Sequence, residues 1–202
     1  MARTLILVRH GKAERASAER PDRERSLVAG AREALAAAYP ATFALLRGTG
    51  TAAGRTSGSE GATGTAADTA TDPEGATGTA ADTATDPSPA LVWVSPALRT
   101  RQTAEEVMSA LDANGIAHAA PEPHECLWEQ DGSVFLAELQ ATPDDATVVV
   151  VGHVPFVQAA LARLTGADLP FAPGAMACAE LGAGVGAGSG RLLWFVQGPS
   201  VS

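Results

Sequence analysis

The sequence has little of several residue types that would each point to a particular class of protein. Only two of its 202 residues are cysteines, Cys126 and Cys178, too few for a disulfide scaffold or a four-ligand zinc site. No run of 18 apolar residues is present, so we expect no membrane-spanning helix and no membrane partner. The apolar run at residues 5–8 is too short for the core of a signal peptide, which makes the cytoplasm the expected location.

Acidic residues outnumber basic ones, and both are unevenly distributed along the chain. The formal net charge is −9 at pH 7, which argues against nucleic acid as a partner. Residues 56–90 contain six acids and no base, whereas residues 1–25 contain seven bases and four acids. An anionic substrate is therefore expected to bind near the basic amino-terminal end.

An internal repeat occupies the middle of the chain. Residues 60–73 read EGATGTAADTATDP, and residues 74–87 repeat these letters without change. The surrounding segment 48–89 contains no Val, Ile, Leu or aromatic residue, so burial cannot offset the entropy lost on ordering it. We predict a single domain over residues 1–202 that is interrupted by a disordered low-complexity insertion at 48–89.

Apolar runs alternate with amphipathic stretches in the rest of the chain. Strands are predicted at residues 5–8, 91–94, 116–120, 147–151, 176–181 and 191–196. Helices are predicted at residues 27–46, 100–114, 133–140 and 156–164. Such alternation indicates an α/β fold, a three-layer sandwich around a mostly parallel central sheet.

Polar groups follow three of the predicted strands. Arg9-His10-Gly11 follows the first strand, Ser95-Pro96-Ala97-Leu98-Arg99 follows the second, and Gly152-His153 follows the strand rich in valine. The carboxyl ends of parallel strands line one crevice, so two histidines and two arginines should converge there. Arginine binds phosphate oxygens in pairs, and a neutral histidine can act as a nucleophile. Each motif alone is weak, but the three together predict a phosphoryl-transfer site.

These motifs resemble those of the histidine phosphatase superfamily, which has the phosphoglycerate-mutase-like fold. Within it the chain is most similar to the short SixA-type phosphohistidine phosphatases. The opening RHGKAE and the segment Arg25-Ser26-Leu27 leading to Gly30 carry this similarity. One departure is Val154, which stands where the family often has an asparagine after the second histidine.

The resemblance implies a role for each motif residue. His10 would attack phosphorus and become phosphorylated, and water would then hydrolyse the intermediate. Arg9, Arg99 and His153 would bind the phosphoryl oxygens, with His153 protonated beside the dianion. Gly11, which has no side chain, would leave room for the phosphate to approach.

The proton donor to the leaving group is less clearly marked. Mutase-type relatives use a carboxylate, and Glu125 lies at about the right point of the chain, with Glu129 and Asp131 as rivals. All three could equally be solvent-facing loop acids. No cofactor is expected, and no metal site either, because the sequence spacing indicates no cluster of His, Asp and Glu ligands.

Three functional hypotheses follow from the sequence. The first is a phosphatase that removes a phosphoryl group from a histidine of a phosphorylated protein. The second is a phosphatase for a small phosphorylated metabolite. The third is a catalytically weak phosphate-binding module, which the complete set of His10, His153 and both arginines disfavours.

Overall fold

We describe the fold from a computed structural model of the chain, which describes residues 2–49, 88–182 and 184–201. Most of the predicted insertion, residues 50–87, lies outside the described residues. Within the described ranges, every helix is too short or too polar to cross a membrane.

A six-stranded, mostly parallel sheet forms the centre of the fold, as the sequence predicted. Its strands are β1 (Arg3–Arg9), β2 (Leu91–Val94), β3 (Glu122–Pro123), β4 (Thr147–Gly152), β5 (Met176–Leu181) and β6 (Gly190–Val196). The spatial order is β3-β2-β4-β1-β5-β6. The pairs β3–β2, β2–β4 and β4–β1 are parallel, whereas β5 runs antiparallel to both of its neighbours.

Helices cover both faces of the sheet and complete the predicted three layers. They are α1 (Ala31–Phe43), α2 (Leu45–Thr49), α3 (Leu98–Ala113), α4 (Glu125–Glu129), α5 (Gly132–Ala141) and α6 (Phe156–Thr165). Successive side chains of a strand point to opposite faces, so Val148 and Val150 join the core under α5 and α6. Val149 and Val151 join the core under α1 and α3. Burial on both faces explains why β4 is a continuous run of valines.

The prediction from the sequence placed the third strand too early in the chain and did not include α4. The strand predicted at residues 116–120 is wrong, because β2 pairs with β3 farther along, at Trp93↔Glu122 and Val94↔Pro123. Only His118 in that stretch forms a β-bridge, with Ala90. Pro121 has no backbone N–H to donate, so the ladder is interrupted between this bridge and β3.

The first predicted helix also differs at its start. It begins at Ala31, four residues later than expected, and α2 follows it after a break at Ala44. The reason is Gly30, which caps the helix with a φ of 78°, a left-handed conformation that a helix cannot continue through.

The parallel register brings the ends of three strands to one edge of the sheet. Arg9 pairs with Gly152, and Val94 pairs with Val151. The ladder continues one step beyond the strands, since the His10 N–H donates to the Gly152 carbonyl and the Ser95 N–H donates to the Val151 carbonyl, both at 3.0 Å. This edge therefore carries the residues that follow β1, β2 and β4.

Candidate active site

A polar cavity of about 490 Å³ opens at this edge. Its lining residues are Arg9, His10, Asp22, Arg25, Arg99, Trp128, Gln130, His153 and Val154. The structure thus brings together the two histidines and two arginines that the strand ends placed here. Three guanidinium groups and one carboxylate, with both histidines neutral, leave a net charge of +2 on the wall. This donor set favours an oxyanion such as a phosphoryl dianion over a metal cation.

His10 presents one ring nitrogen as a lone pair. Its Nδ1 lies 2.7 Å from the carbonyl oxygen of Gly11, which can only accept, so Nδ1 carries the hydrogen. Nε2 is left unprotonated and lies 3.4 Å from Nε of Arg99, which donates towards it. Burial, together with the nearby Arg99 and Arg9, lowers the pKa of His10 to about 4. The imidazole is therefore neutral near pH 7, as nucleophilic attack requires.

His153 is held on the opposite side by two hydrogen-bond partners. Nδ1 lies 3.3 Å from Nη2 of Arg99, a group that can only donate. Nε2 therefore carries the hydrogen and donates to Oγ of Ser95 at 2.8 Å. The centres of the two histidine rings are 5.2 Å apart. Burial lowers the pKa of His153 to about 3, with added repulsion from His10 and Arg99.

Arg99 is bound to an internal anion, Asp22. Nη1 donates to the Asp22 backbone carbonyl at 2.6 Å, and Nη2 donates to its carboxylate at 2.8 Å. Arg25 donates to the other carboxylate oxygen at 2.5 Å. Burial by itself raises the pKa of Asp22, but the bonds from Arg99 and Arg25 outweigh it and hold the pKa below its ordinary value. Asp22 thus supplies the negative charge that the two guanidinium groups share.

Arg9 is fixed at the wall by a backbone acceptor. Its Nη1 donates to the carbonyl oxygen of Phe171 at 2.6 Å. Burial lowers the pKa of Arg9 below its ordinary value, but arginine keeps its charge at neutral pH. The guanidinium group therefore stands beside His10 as a pre-oriented cation.

Trp128 forms an aromatic wall that the sequence analysis did not single out. It lies in α4, with its ring centre 5.7 Å from that of His153 in an edge-to-face arrangement. The guanidinium carbons of Arg23 and Arg99 lie 4.9 and 5.8 Å from the same ring centre. The sequence signal was weak, because a single tryptophan in a five-residue helix gives no periodicity.

Asp22, Arg25 and Gln130 also line the wall and had no role assigned from the sequence. Arg25 belonged to a segment that carried the family resemblance, whereas Asp22 was counted only as one of four acids. Asp22 begins a one-turn 3₁₀ helix, Asp22–Glu24, in the long connection between β1 and α1. Its partner Arg99 lies 77 residues away along the chain, so local sequence could not reveal the pair.

Gly11 packs closely against the core beneath the candidate site. A Cβ atom there would lie 2.8 Å from Cδ1 of Leu35 and 3.3 Å from Cδ2 of Leu27. Both are buried core residues, so the missing side chain permits close packing beneath the site. In the part of the chain that is described, Gly11 is not among the cavity-lining residues, although its carbonyl orients His10.

The three candidate proton donors are engaged or placed elsewhere. Glu125 begins α4, pairs with Arg23 and has a side chain that is 60% exposed. Asp131 caps α5 by accepting hydrogen bonds from the backbone N–H groups of Ser133 and Val134. Glu129 ends α4 and is exposed. Among the described residues, Asp22 contributes the one carboxylate of the cavity wall.

Solved structures with the same architecture include several phosphatases. The protein histidine phosphatase SixA, solved with tungstate, is 23% identical over 96% of each chain, with a TM-score of 0.63. A Nakamurella multipartitia protein assigned to the SixA phosphohistidine phosphatases is 27% identical, over 100% of this chain and 98% of that one, with a TM-score of 0.57. A mycobacterial glucosyl-3-phosphoglycerate phosphatase is 15% identical, over 99% of this chain and 100% of that one, with a TM-score of 0.53.

These similarities identify the fold of the chain. It has a phosphoglycerate-mutase-like α/β fold and is similar to proteins of the histidine phosphatase superfamily. Within that superfamily it is similar to the SixA phosphohistidine phosphatases. No protein-family model matches the chain, and no curated protein matches it in sequence.

Proposed function

We propose that this protein is a phosphatase that removes the phosphoryl group from a phosphohistidine of another protein. The proposal rests on one observation above all: a neutral His10, with an unprotonated Nε2, lies in a cavity whose wall carries a net charge of +2. The similarity to SixA proteins supports the phosphohistidine specificity. The cytoplasmic location expected from the sequence forms part of the same proposal.

The first step transfers the phosphoryl group to the enzyme. The lone pair on Nε2 of His10 attacks phosphorus, and the bond between phosphorus and the leaving group breaks on the opposite side. Arg9 and Arg99 hold the equatorial oxygens as negative charge spreads over them. A substrate imidazole that is already protonated leaves as a neutral ring, so this step does not require Glu125 to supply a proton.

The second step hydrolyses the phosphohistidine on His10. A water molecule attacks phosphorus, the bond to Nε2 breaks, and inorganic phosphate leaves. The hydrogen bond from Nδ1 to the Gly11 carbonyl fixes the tautomer of the ring in both steps. It therefore keeps Nε2 as the reactive nitrogen. His153 gains a proton at Nδ1 when a dianion fills the cavity, since opposite charge favours the protonated form.

A small phosphorylated metabolite is the alternative substrate. Three guanidinium groups recognise the phosphoryl dianion itself, and this recognition does not depend on what the phosphoryl group is attached to. Glu125 would then be the candidate proton donor, because an alkoxide leaving group needs a proton. It would have to leave Arg23 in order to deliver one.

A hydrolysis panel tests the proposal and separates the alternatives. Purified protein is offered a phosphohistidine-bearing phosphotransfer protein, several sugar phosphates and an aryl phosphate, and released phosphate is measured. We expect kcat/KM to be highest for the phosphohistidine protein. A higher value for a sugar phosphate would identify the small-molecule alternative. Binding of phosphate without turnover of any substrate would identify a phosphate-binding module.

A further inference from the structure

A second cluster of reactive side chains involves none of the residues that line the candidate active site. It consists of His124, just before α4, Cys126 within α4, and Glu138 within α5. Oε2 of Glu138 lies 2.8 Å from Nδ1 of His124 and 3.3 Å from Sγ of Cys126. One potential ligand atom from each of the three residues lies within 4.8 Å of the other two. Imidazole, thiol and carboxylate thus meet at one point, although His124 and Glu138 are 14 residues apart.

The hydrogen bonding of this cluster leaves one buried atom unexplained. A carboxylate oxygen only accepts, so the hydrogens of Cys126 and of His124 Nδ1 both point at Glu138. Nε2 on the other side of the ring is buried and has no hydrogen-bond partner among the described residues. The nearest carboxylate, Oε2 of Glu122, is 3.8 Å away. Stacking on Trp93, with ring centres 4.4 Å apart, holds the imidazole in this orientation.

We propose that His124, Cys126 and Glu138 form a zinc-binding site, with Nδ1, Sγ and Oε2 as the ligand atoms. Tetrahedral zinc ligands stand roughly 3.4 Å apart, which the present distances meet after shifts of about 1 Å. A fourth ligand, water, can enter on the side of Glu138, whose side chain is 38% exposed. Thiolate and imidazole select zinc over Mg²⁺ and Ca²⁺, which prefer oxygen ligands.

Zinc binding balances both charge and protons in the cluster. The thiolate and the carboxylate together carry two negative charges, and Zn²⁺ neutralises them around a neutral imidazole. The Cys126 proton leaves to solvent when the cation binds, because the thiolate is the form of cysteine that ligates zinc. The His124 hydrogen moves from Nδ1 to Nε2, where it can donate to Glu122. A carboxylate beyond the ligand histidine is a common feature of zinc sites.

The site would connect α4 to α5. Cys126 and Trp128 belong to the same five-residue helix, and Trp128 packs against His153 on the active-site wall. A metal ion bound to Cys126 and Glu138 would therefore fix the helix that carries this aromatic wall. The site itself contains no residue of the proposed phosphoryl-transfer machinery, so the two proposals can fail independently.

Cobalt provides a direct spectroscopic test, because Co²⁺ replaces zinc and a cobalt–thiolate bond gives a charge-transfer absorption. The full chain, without a polyhistidine tag and stripped with a chelator, is titrated with Co²⁺ and then with Zn²⁺. We expect the charge-transfer band to saturate at one equivalent of Co²⁺ and to disappear as Zn²⁺ displaces it. No such band in the wild-type protein would overturn the proposal.

The second cysteine offers a matched control. Cys178 is also buried, but it lies in β5, in the opposite core cluster. C126S should abolish the cobalt band and the rise in Tm on adding Zn²⁺, whereas C178S should keep both. If C126S does not fold, E138Q provides the test instead, because Glu138 is half-exposed. This variant should also lose the cobalt band. E122Q should weaken cobalt binding roughly ten- to a hundredfold. Equal loss in C126S and C178S, or retention in both C126S and E138Q, would refute the site.

Discussion

The hydroxyl oxygen of Ser95 lies 2.8 Å from Nε2 of His153, and both side chains are buried. Because Arg99 donates to the other ring nitrogen, the serine must act as the acceptor. Ser95 therefore sets the tautomer of His153 and directs its Nδ1 towards Arg99 and the phosphate-binding cavity. The last residue of β2 is followed directly by this serine, so the sheet itself positions the contact.

Replacing Ser95 with alanine should impair catalysis without abolishing it. S95A leaves the buried Nε2–H of His153 without its acceptor, which costs about 1–3 kcal/mol and frees the ring to turn. We expect kcat/KM to fall roughly ten- to a hundredfold, while the phosphoenzyme still forms on His10. Steady-state kinetics with an aryl phosphate measure this effect. Unchanged kinetics would show that His153 does not depend on the serine.

Substituting alanine for each of the two histidines should have different effects on catalysis. H10A should abolish both turnover and the trapped phosphoenzyme, because Nε2 of His10 is the proposed point of attachment. H153A should slow the reaction roughly a hundred- to a thousandfold, the effect of losing one donor that stabilises transition-state charge. Rapid acid quench with labelled phosphate, followed by mapping of the label, distinguishes them. Label on His153 instead of His10 would reverse the assignment.

The buried histidines should make the folded state sensitive to mild acid. Their pKa values are about 4 and about 3 in the folded state, below the ordinary value near 6.5 that applies after unfolding. Between pH 6.5 and 4 the unfolded chain binds more protons, so the free energy of unfolding decreases as the pH falls. Each histidine contributes up to about 1.4 kcal/mol per pH unit.

Denaturant unfolding at several pH values measures this dependence. H10A removes one of the two titrating groups, so its stability should fall less steeply than that of the wild-type protein over the same range. A parallel decline in both proteins would show that His10 is not desolvated as described.

Asp22 should weaken the binding of anions to the cavity. Its carboxylate shares Arg99 and Arg25 with any phosphate that enters, and it repels that phosphate directly. D22N removes the charge, and we expect inorganic phosphate to inhibit the enzyme about tenfold more strongly. D112N is the matched control, because Asp112 pairs with His118 and lies at the end of α3. An equal change in both variants would indicate a general charge effect.

The repeated segment is predicted to be dispensable for catalysis. Residues 50–87 contain no Val, Ile, Leu or aromatic residue, and their replacement by a short Gly-Ser linker should leave Tm and kcat/KM nearly unchanged. Thermal unfolding and aryl phosphate hydrolysis measure the two quantities. A large loss of either would mean that this segment supports the domain or its site.

The sequence alone determined the architecture and the four motif residues of the candidate site. Buried parallel strands require apolar runs, so 5–8, 91–94 and 147–151 were visible without any knowledge of the fold. A parallel sheet brings the ends of its strands together, which placed His10 and His153 at one edge. Local periodicity and strand order were sufficient for these predictions.

Only the tertiary structure decided which other groups join those residues. Asp22 reaches Arg99 across 77 residues, and Trp128 reaches His153 from a helix too short to show periodicity. The cluster of His124, Cys126 and Glu138 likewise forms because α4 packs beside α5. Such contacts depend on how the connecting segments pack against one another in the folded protein. Residue spacing along the chain does not predict that packing.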